Sequence, residues 1–360
     1  MRSSALAQAL AVCIHARQPV FTWGPPGGGK TTIHRKVSKG LGYRFHTTCL
    51  SQVDVVDIRG MLSIVDGRSR YALPDWLPME RDPATVIHFD EFPQAPVLVM
   101  NGAAELVCER TLGGEQNYRL PPQAAITAAG NRRSDRAAVN EVPSHLKNRF
   151  VHLTLEEDVD DTIAFLLNPE AHLDIKAPTL EATEAPHPMV LAFLRFRPDL
   201  LTTFDPVKDP SPAFATRRSW GFVSRLLPFV EENPTLMLPM MQGCVGDGPG
   251  VEFVAFLGLL KSLPKHETVF TNPDTAPIPE EPSLQYAFMG VLTRHVTERN
   301  AEKFFRYLNR LSQDIAVSAV KDLKARLGAP AAWKPLFTNP EATKWVAANL
   351  QLIAGEGDSP

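Results

Sequence analysis

The chain has little charge of either sign to spare: 37 Lys and Arg face 40 Asp and Glu over 360 residues, a formal net charge of −3. That balance gives no bulk electrostatic case for a nucleic-acid or membrane partner. Cysteine is scarce as well. The 4 cysteines, Cys13, Cys49, Cys108 and Cys244, are scattered without ligand spacing, which argues against a disulfide framework or a zinc motif. They read as buried small hydrophobes in a reducing compartment. No continuous apolar run reaches membrane length, and near Arg2 no long apolar core precedes a cleavage site, so a cytoplasmic protein is expected. Internal repeats are lacking too. What is present is a 44% hydrophobic content, enough for a large core and two domains.

The stretch that organises the rest is Val20-Phe21-Thr22-Trp23 followed by Gly24-Pro25-Pro26-Gly27-Gly28-Gly29-Lys30-Thr31-Thr32. A β-prone run stops at Gly24, and a helix-compatible segment, Ile33 to Gly40, follows the loop. Gly24, four residues, then Gly29-Lys30-Thr31 is the phosphate-cradling pattern between a strand and a helix. Glycines let successive backbone N–H groups turn inward around an anion, and the helix start adds its positive dipole end. Lys30 is expected to supply a point charge at the β- and γ-phosphates, and the Thr31 hydroxyl a ligand to Mg²⁺. Thr32 is read as a packing residue or a further phosphate contact.

A second chemical centre is Thr85-Val86-Ile87-His88-Phe89-Asp90-Glu91, an apolar strand ending in two carboxylates, as a parallel sheet presents groups at its carboxyl edge. Asp90 is expected to hold the hydrated metal, and Glu91 to orient and deprotonate an attacking water. His88 lies further back and reads as a satisfied core histidine. The strand Ala124 to Ala129 ends in Gly130-Asn131. The Asn131 amide suits a γ-phosphate and a water together, and equally suits a simple turn. Arg149, in Asn148-Arg149-Phe150 before the strand Val151 to Leu155, suits a finger reaching a neighbour's phosphate or a helix-end salt bridge. Arg132, Arg133 and Arg136 read as a solvated loop or an alternative source of that finger.

Two hairpins are expected: Leu62 to Ala72 around Asp66-Gly67, and Thr111 to Leu120 around Gly113-Gly114. The first is either a surface excursion or a working loop. Beyond residue 155 the periodicity is helical, interrupted by Pro-rich links at 177–188, 205–212 and 272–282. Gly243 to Gly250 has no lysine at the phosphate-loop spacing and reads as a turn. One long helix is expected from Ala301 to Leu323, with Phe304, Phe305, Leu308 and Leu311 as core.

These motifs, in this order, resemble those of the AAA+ ATPases, and the two hairpins resemble those of the MoxR branch in the helix-two-insert clade. Asp57-Ile58-Arg59-Gly60 and Glu109-Arg110 are similar to that branch too, whereas Gly130-Asn131-Arg132-Arg133 stands where Gln-Asn-Pro is usual. The resemblance implies an α/β fold: a P-loop NTPase parallel sheet sandwiched by helices, with an α-helical C-terminal lid domain. The expected division is residues 1–155 as the nucleotide-binding core, 156–265 as the lid, 266–354 as its helical extension and 355–360 as a disordered tail. ATP and Mg²⁺ are the implied cofactors. ATP would sit between subunits of a hexameric ring, with Arg149 acting in trans. In Phe214-Ala215-Thr216-Arg217-Arg218-Ser219 the resemblance aligns Arg218 with a second sensor acting in cis, Arg217 being the alternative. A protein client is implied, with a von Willebrand factor A domain protein as one such client. The alternative is a DNA-acting motor related to McrB-type restriction subunits.

Overall fold

Short runs of β-branched and aromatic residues separated by helix-forming stretches need crossover connections, and crossovers build parallel sheets. The computed structural model describes residues 1–135, 139–169, 173–183, 185–205, 211–259 and 263–354, without the side chains of 350–354. Arg136 and the tail 355–360 lie outside the described residues.

The chain runs α1 (Ser3–His15), β1 (Val20–Trp23), α2 (Lys30–Gly40), β2 (Arg44–Cys49) and α3 (Val55–Arg59), then the hairpin strands β3 (Met61–Val65) and β4 (Arg68–Ala72). β5 (Thr85–Asp90), α4 (Val97–Glu109), β6 (Ala125–Gly130), α5 (Ser144–Lys147) and β7 (Val151–Thr154) follow. The five parallel strands stand in the order β2-β5-β6-β1-β7. Strand alternation sends Phe21, Ile87, Phe89, Ile126 and Ala128 to one face, where they pack with Val99, Met100, Ala103 and Leu106 of α4. Thr22, His88 and Thr127 point the other way, under α2, so helices cover both faces. Burying a phenylalanine such as Phe21 or Phe89 completely contributes about 1.5–3 kcal/mol. The sheet and its flanking helices match the expected α/β architecture.

The first hairpin forms as expected. Asp66 and Gly67 both have positive φ, the conformation a two-residue turn needs to follow the strand twist. The second is shorter than expected: one antiparallel bridge, Thr111 to Arg119, flanked by Leu112 N–H to Tyr118 O at 3.0 Å and Leu120 N–H to Arg110 O at 2.7 Å. Side chains brace its turn: Gly114 N–H donates to Glu105, and the Asn117 amide group donates to Leu112 O.

The remaining helices are α6 (Val159–Leu167), α7 (Pro188–Phe196), α8 (Arg217–Val230), α9 (Pro234–Val245), α10 (Asp247–Gly258), α11 (His266–Thr271), α12 (Pro282–His295), α13 (Ala301–Leu308), α14 (Gln313–Leu327), α15 (Pro330–Trp333) and α16 (Pro340–Ala354). The expected helix from Ala301 to Leu323 is two helices, because Ser312 turns extended and starts α14 afresh. Phe304, Phe305 and Leu308 are core residues, with Leu311 packed against them. The Gly-rich stretch is a turn of one residue: Gly246, at φ 90°, ends α9. Gly243 is there for close approach, since a Cβ would sit 2.3 Å from His152 O of β7.

The chain forms two compact units. One comprises residues 1–182, 204–222 and 226–250; the other 183–203, 223–225 and 251–360. Helix α9 therefore belongs with the sheet, through β7, and α11 to α16 with α7. Among the described residues no helix is long and apolar enough to cross a membrane.

Candidate active site

Strands β1, β5 and β6 end side by side, and their carboxyl ends carry Gly24, Asp90 and Gly130-Asn131. The loop after β1 takes positive φ at Gly27 and Gly29 (75° and 80°), and Gly29 starts α2 with no side-chain cap. The first N–H groups of α2 are therefore left for an anion. Lys30 is 8% exposed. Its ammonium donates to Gly24 O at 2.9 Å, Pro25 O at 2.8 Å and Asn131 Oδ1 at 2.8 Å. Burial lowers its pKa, with Asp90 pulling the other way. The Thr31 hydroxyl donates to Asp90 Oδ2 at 2.5 Å, and the Glu91 N–H donates to Asp90 Oδ1 at 2.9 Å. Lys30 is thus joined directly to Asn131, and Thr31 to Asp90.

Glu91 sits at φ 51°, ψ 36°, a left-handed conformation that costs a non-glycine residue energy. Its carboxylate accepts the Ser51 hydroxyl and, at 3.2 Å, the Cys49 thiol. Sequence reading missed both partners. Cys49 stands opposite Asp90 in the β2–β5 register, and only that pairing brings them close. Cys49 is also only partly buried, unlike Cys13 and Cys244, so the expectation of four buried cysteines fails there and at Cys108. Gly130 is required by packing: a Cβ would lie 2.1 Å from Pro93 Cδ, two residues after Glu91. After Asn131 the chain is held by Asp135, which accepts from Arg132 N–H at 2.9 Å and pairs with its guanidinium at 3.2 Å. Arg132 is thereby a loop brace.

Arg149 lies elsewhere. It precedes β7, whose first residue Val151 pairs with Val20, the first of β1, so Arg149 is at the amino edge of the sheet. Four residues of β1 separate the two edges, roughly 13 Å at about 3.3 Å each. Arg149 donates to Cys108 O at 3.1 Å and pairs with Glu109 at 3.2 Å, while its Nε is buried without a partner. The Thr216 hydroxyl donates to Asn148 Oδ1 at 3.0 Å, which anchors the start of α8 beside Arg149. Arg218 is accordingly perturbed, after burial, by Arg149, Cys108 and Glu109, and its pKa falls. Arg218 thus lies near Arg149 and Glu109.

His88 is a core histidine, as expected, but only half satisfied. Its Nδ1 meets Thr127 Oγ1 at 2.8 Å while its Nε2 is buried without a hydrogen-bond partner among the described residues, its ring lies 4.4 Å from that of His34, and burial pushes its pKa down to about 3. A cavity of about 230 Å³ opens from Gly27, Gly28 and Gly29 towards Leu155, Glu157 and Phe165. It continues the phosphate loop and can take the rest of a nucleotide.

No family model matches the chain, and no curated protein matches it. Among solved structures, the chain is similar to a candidate ATPase from Cytophaga hutchinsonii at 14% identity and TM-score 0.36, over 89% of this chain and 81% of that one. It is also similar to NtrX from Brucella abortus in complex with ADP, at 15% identity and TM-score 0.33, over 96% and 67%. Scores that low carry no weight for this chain, whose fold and site rest on the strands and side chains described above.

Proposed function

We propose that the chain is a MoxR-like AAA+ ATPase that hydrolyses ATP to ADP and phosphate at a seam between copies of itself. The observation that carries this reading is the joined set Lys30–Asn131 and Thr31–Asp90 at the mouth of a positive-φ glycine loop. Phosphoryl transfer needs positioning and charge stabilisation more than covalent chemistry, and this set supplies both. Incoming phosphate oxygens would replace the three acceptors that now occupy the Lys30 ammonium. The Thr31 hydroxyl and the Asp90 carboxylate are hard oxygen donors 2.5 Å apart, a donor set that fits Mg²⁺. That ion would neutralise charge on the β- and γ-oxygens. Asn131 would hold the attacking water, and Glu91 would take its proton once free of Ser51 and Cys49.

Arg149 stands at the edge of the sheet opposite the loop of its own chain, with Arg218 near it, which supports a second copy bringing both to the seam. Such a contact joins different surfaces head to tail and closes into a ring, here taken as a hexamer. A protein client is favoured over DNA by the first hairpin, whose Met61, Leu62, Ile64 and Val65 are all exposed, Ile64 by 81%. Apolar side chains of this kind contact polypeptide and carry no phosphate recognition. A von Willebrand factor A domain protein is the client class the motif resemblance implies.

The test is steady-state phosphate release with Mg²⁺ and ATP. Wild type is expected to turn over, Glu91→Gln to bind ATP with turnover reduced about a hundredfold or more, and Lys30→Ala to lose binding. Undiminished release by Glu91→Gln would remove Glu91 from the mechanism. Stimulation of that release by DNA, with a steep salt dependence, would favour the DNA motor.

A further inference from the structure

We infer that Glu157 is the ribose-recognition residue of the nucleotide cavity and makes it selective for a ribonucleotide with free 2′- and 3′-hydroxyls. The assignment rests on the nucleotide reading above and goes beyond it.

The cavity has two chemically distinct ends. At one end lie the Gly27 to Gly29 backbone and the Lys30 ammonium, suited to phosphates. At the other, Glu156, Glu157, Asp158 and Asp161 line it. Four carboxylates, two of them paired with cations, leave a net negative charge that disfavours a phosphate and favours the nucleoside end of a ligand there. Ile33, Leu155 and Phe165 provide an apolar wall for a base, while a sugar diol needs an acceptor.

Three of the four carboxylates are already engaged. Glu156 pairs with the Met1 ammonium at 3.2 Å. Asp158 accepts the Asp161 N–H at 3.0 Å and pairs with Arg2 at 3.1 Å. Asp161 accepts the Ser3 N–H at 2.6 Å. The Thr162 hydroxyl is also spent, on Asp158 O at 2.8 Å. Glu157 has no hydrogen-bond or ion-pair partner among the described residues. It is also held close to the loop: Leu155, two residues earlier, takes its N–H to Trp23 O at 2.7 Å and would lie 3.1 Å from a Cβ on Gly24. A carboxylate accepts two donors at once, which is the chemistry by which acidic residues hold the vicinal hydroxyls of a ribose. The same charge rejects a sugar that carries a 2′- or 3′-phosphate.

The experiment is calorimetric binding of ADP and of 2′-deoxy-ADP to the full chain, which needs no turnover. Wild type should bind ADP about tenfold or more tightly than the deoxy form, the worth of one hydrogen bond to a charged acceptor. Glu157→Ala should bring that ratio to about one by weakening ADP alone, and Glu157→Gln should keep part of it. Equal affinity of wild type for the two nucleotides, or a ratio unchanged in Glu157→Ala, overturns the assignment and leaves the nucleotide reading intact. A ratio that collapses in Ser3→Ala instead would move the role to the Ser3 hydroxyl and overturn it equally. If wild type binds neither nucleotide, the nucleotide reading falls, and this assignment with it.

Discussion

The Ser51 hydroxyl donates to the Glu91 carboxylate, and so ties the group proposed to activate water to the segment that follows the edge strand β2. Cys49 adds a second, weaker donor to the same oxygen. Two donors on one carboxylate oxygen stabilise the charged form and make that oxygen a weaker proton acceptor until the contacts break.

Releasing Glu91 should therefore raise basal turnover. Ser51→Ala is expected to increase kcat about three- to tenfold with KM unchanged, the scale of one hydrogen bond to a charged group set against the solvent that replaces it. Adding Cys49→Ala should raise it slightly further. Steady-state phosphate release reads both. A fall in kcat would show that Ser51 holds Glu91 in its working orientation.

Gly130 and Pro93 transmit packing to the same group. A methyl at Gly130 would overlap Pro93 Cδ at 2.1 Å, so the segment after Glu91 must move. Gly130→Ala should destabilise the fold by about 1–3 kcal/mol. It should also lower kcat by displacing Glu91 and Asn131 from each other. Urea unfolding and phosphate release check the two effects separately, and an unchanged midpoint would show that the contact is slack.

Buried imidazoles set a pH limit on the unit that carries the sheet. Burial pushes His88 down to about 3 and His152 to about 4, and His34 well below its usual value. Their folded pKa values are depressed, so each stabilises the fold fully above an ordinary value near 6.5, and the contribution is lost as pH falls towards the folded value. At pH 5 the loss is about 2 kcal/mol for each of His88 and His152. In the other unit Asp322 has the opposite sign: burial raises it to about 6, so it disfavours that unit's fold above that pH and less so below. Urea unfolding at pH 7.5 and 5 should show a net loss for the unit that carries the sheet. A flat profile would mean the histidines are charged in the folded state.

The strand-loop-helix around Lys30 and the carboxylates after β5 were legible from sequence, because local pattern alone specifies them: glycine for positive φ, an apolar strand for burial, acids at its end. The partners of Glu91 were not, since Cys49 and Ser51 meet it only through a parallel pairing between strands far apart in the chain. The same limit hid the position of Arg218, which depends on the Thr216–Asn148 contact between distant segments. The hairpin at Thr111 to Leu120 is held to a single bridge, and the side chains of Glu105 and Asn117 that brace its turn were not legible from the Gly113-Gly114 signal.

On the proposed reading, a site becomes complete only when one copy's Lys30, Glu91 and Asn131 meet another copy's Arg149, with Arg218 beside it. Arg149→Ala and Glu91→Gln chains should each be nearly inactive alone. In a mixture, the seam between an Arg149→Ala copy presenting intact Glu91 and a Glu91→Gln copy presenting intact Arg149 has every group. Phosphate release by the mixture, titrated across ratios, should therefore rise above either variant alone and peak between them. No recovery at any ratio, with both variants still assembling, would contradict the account.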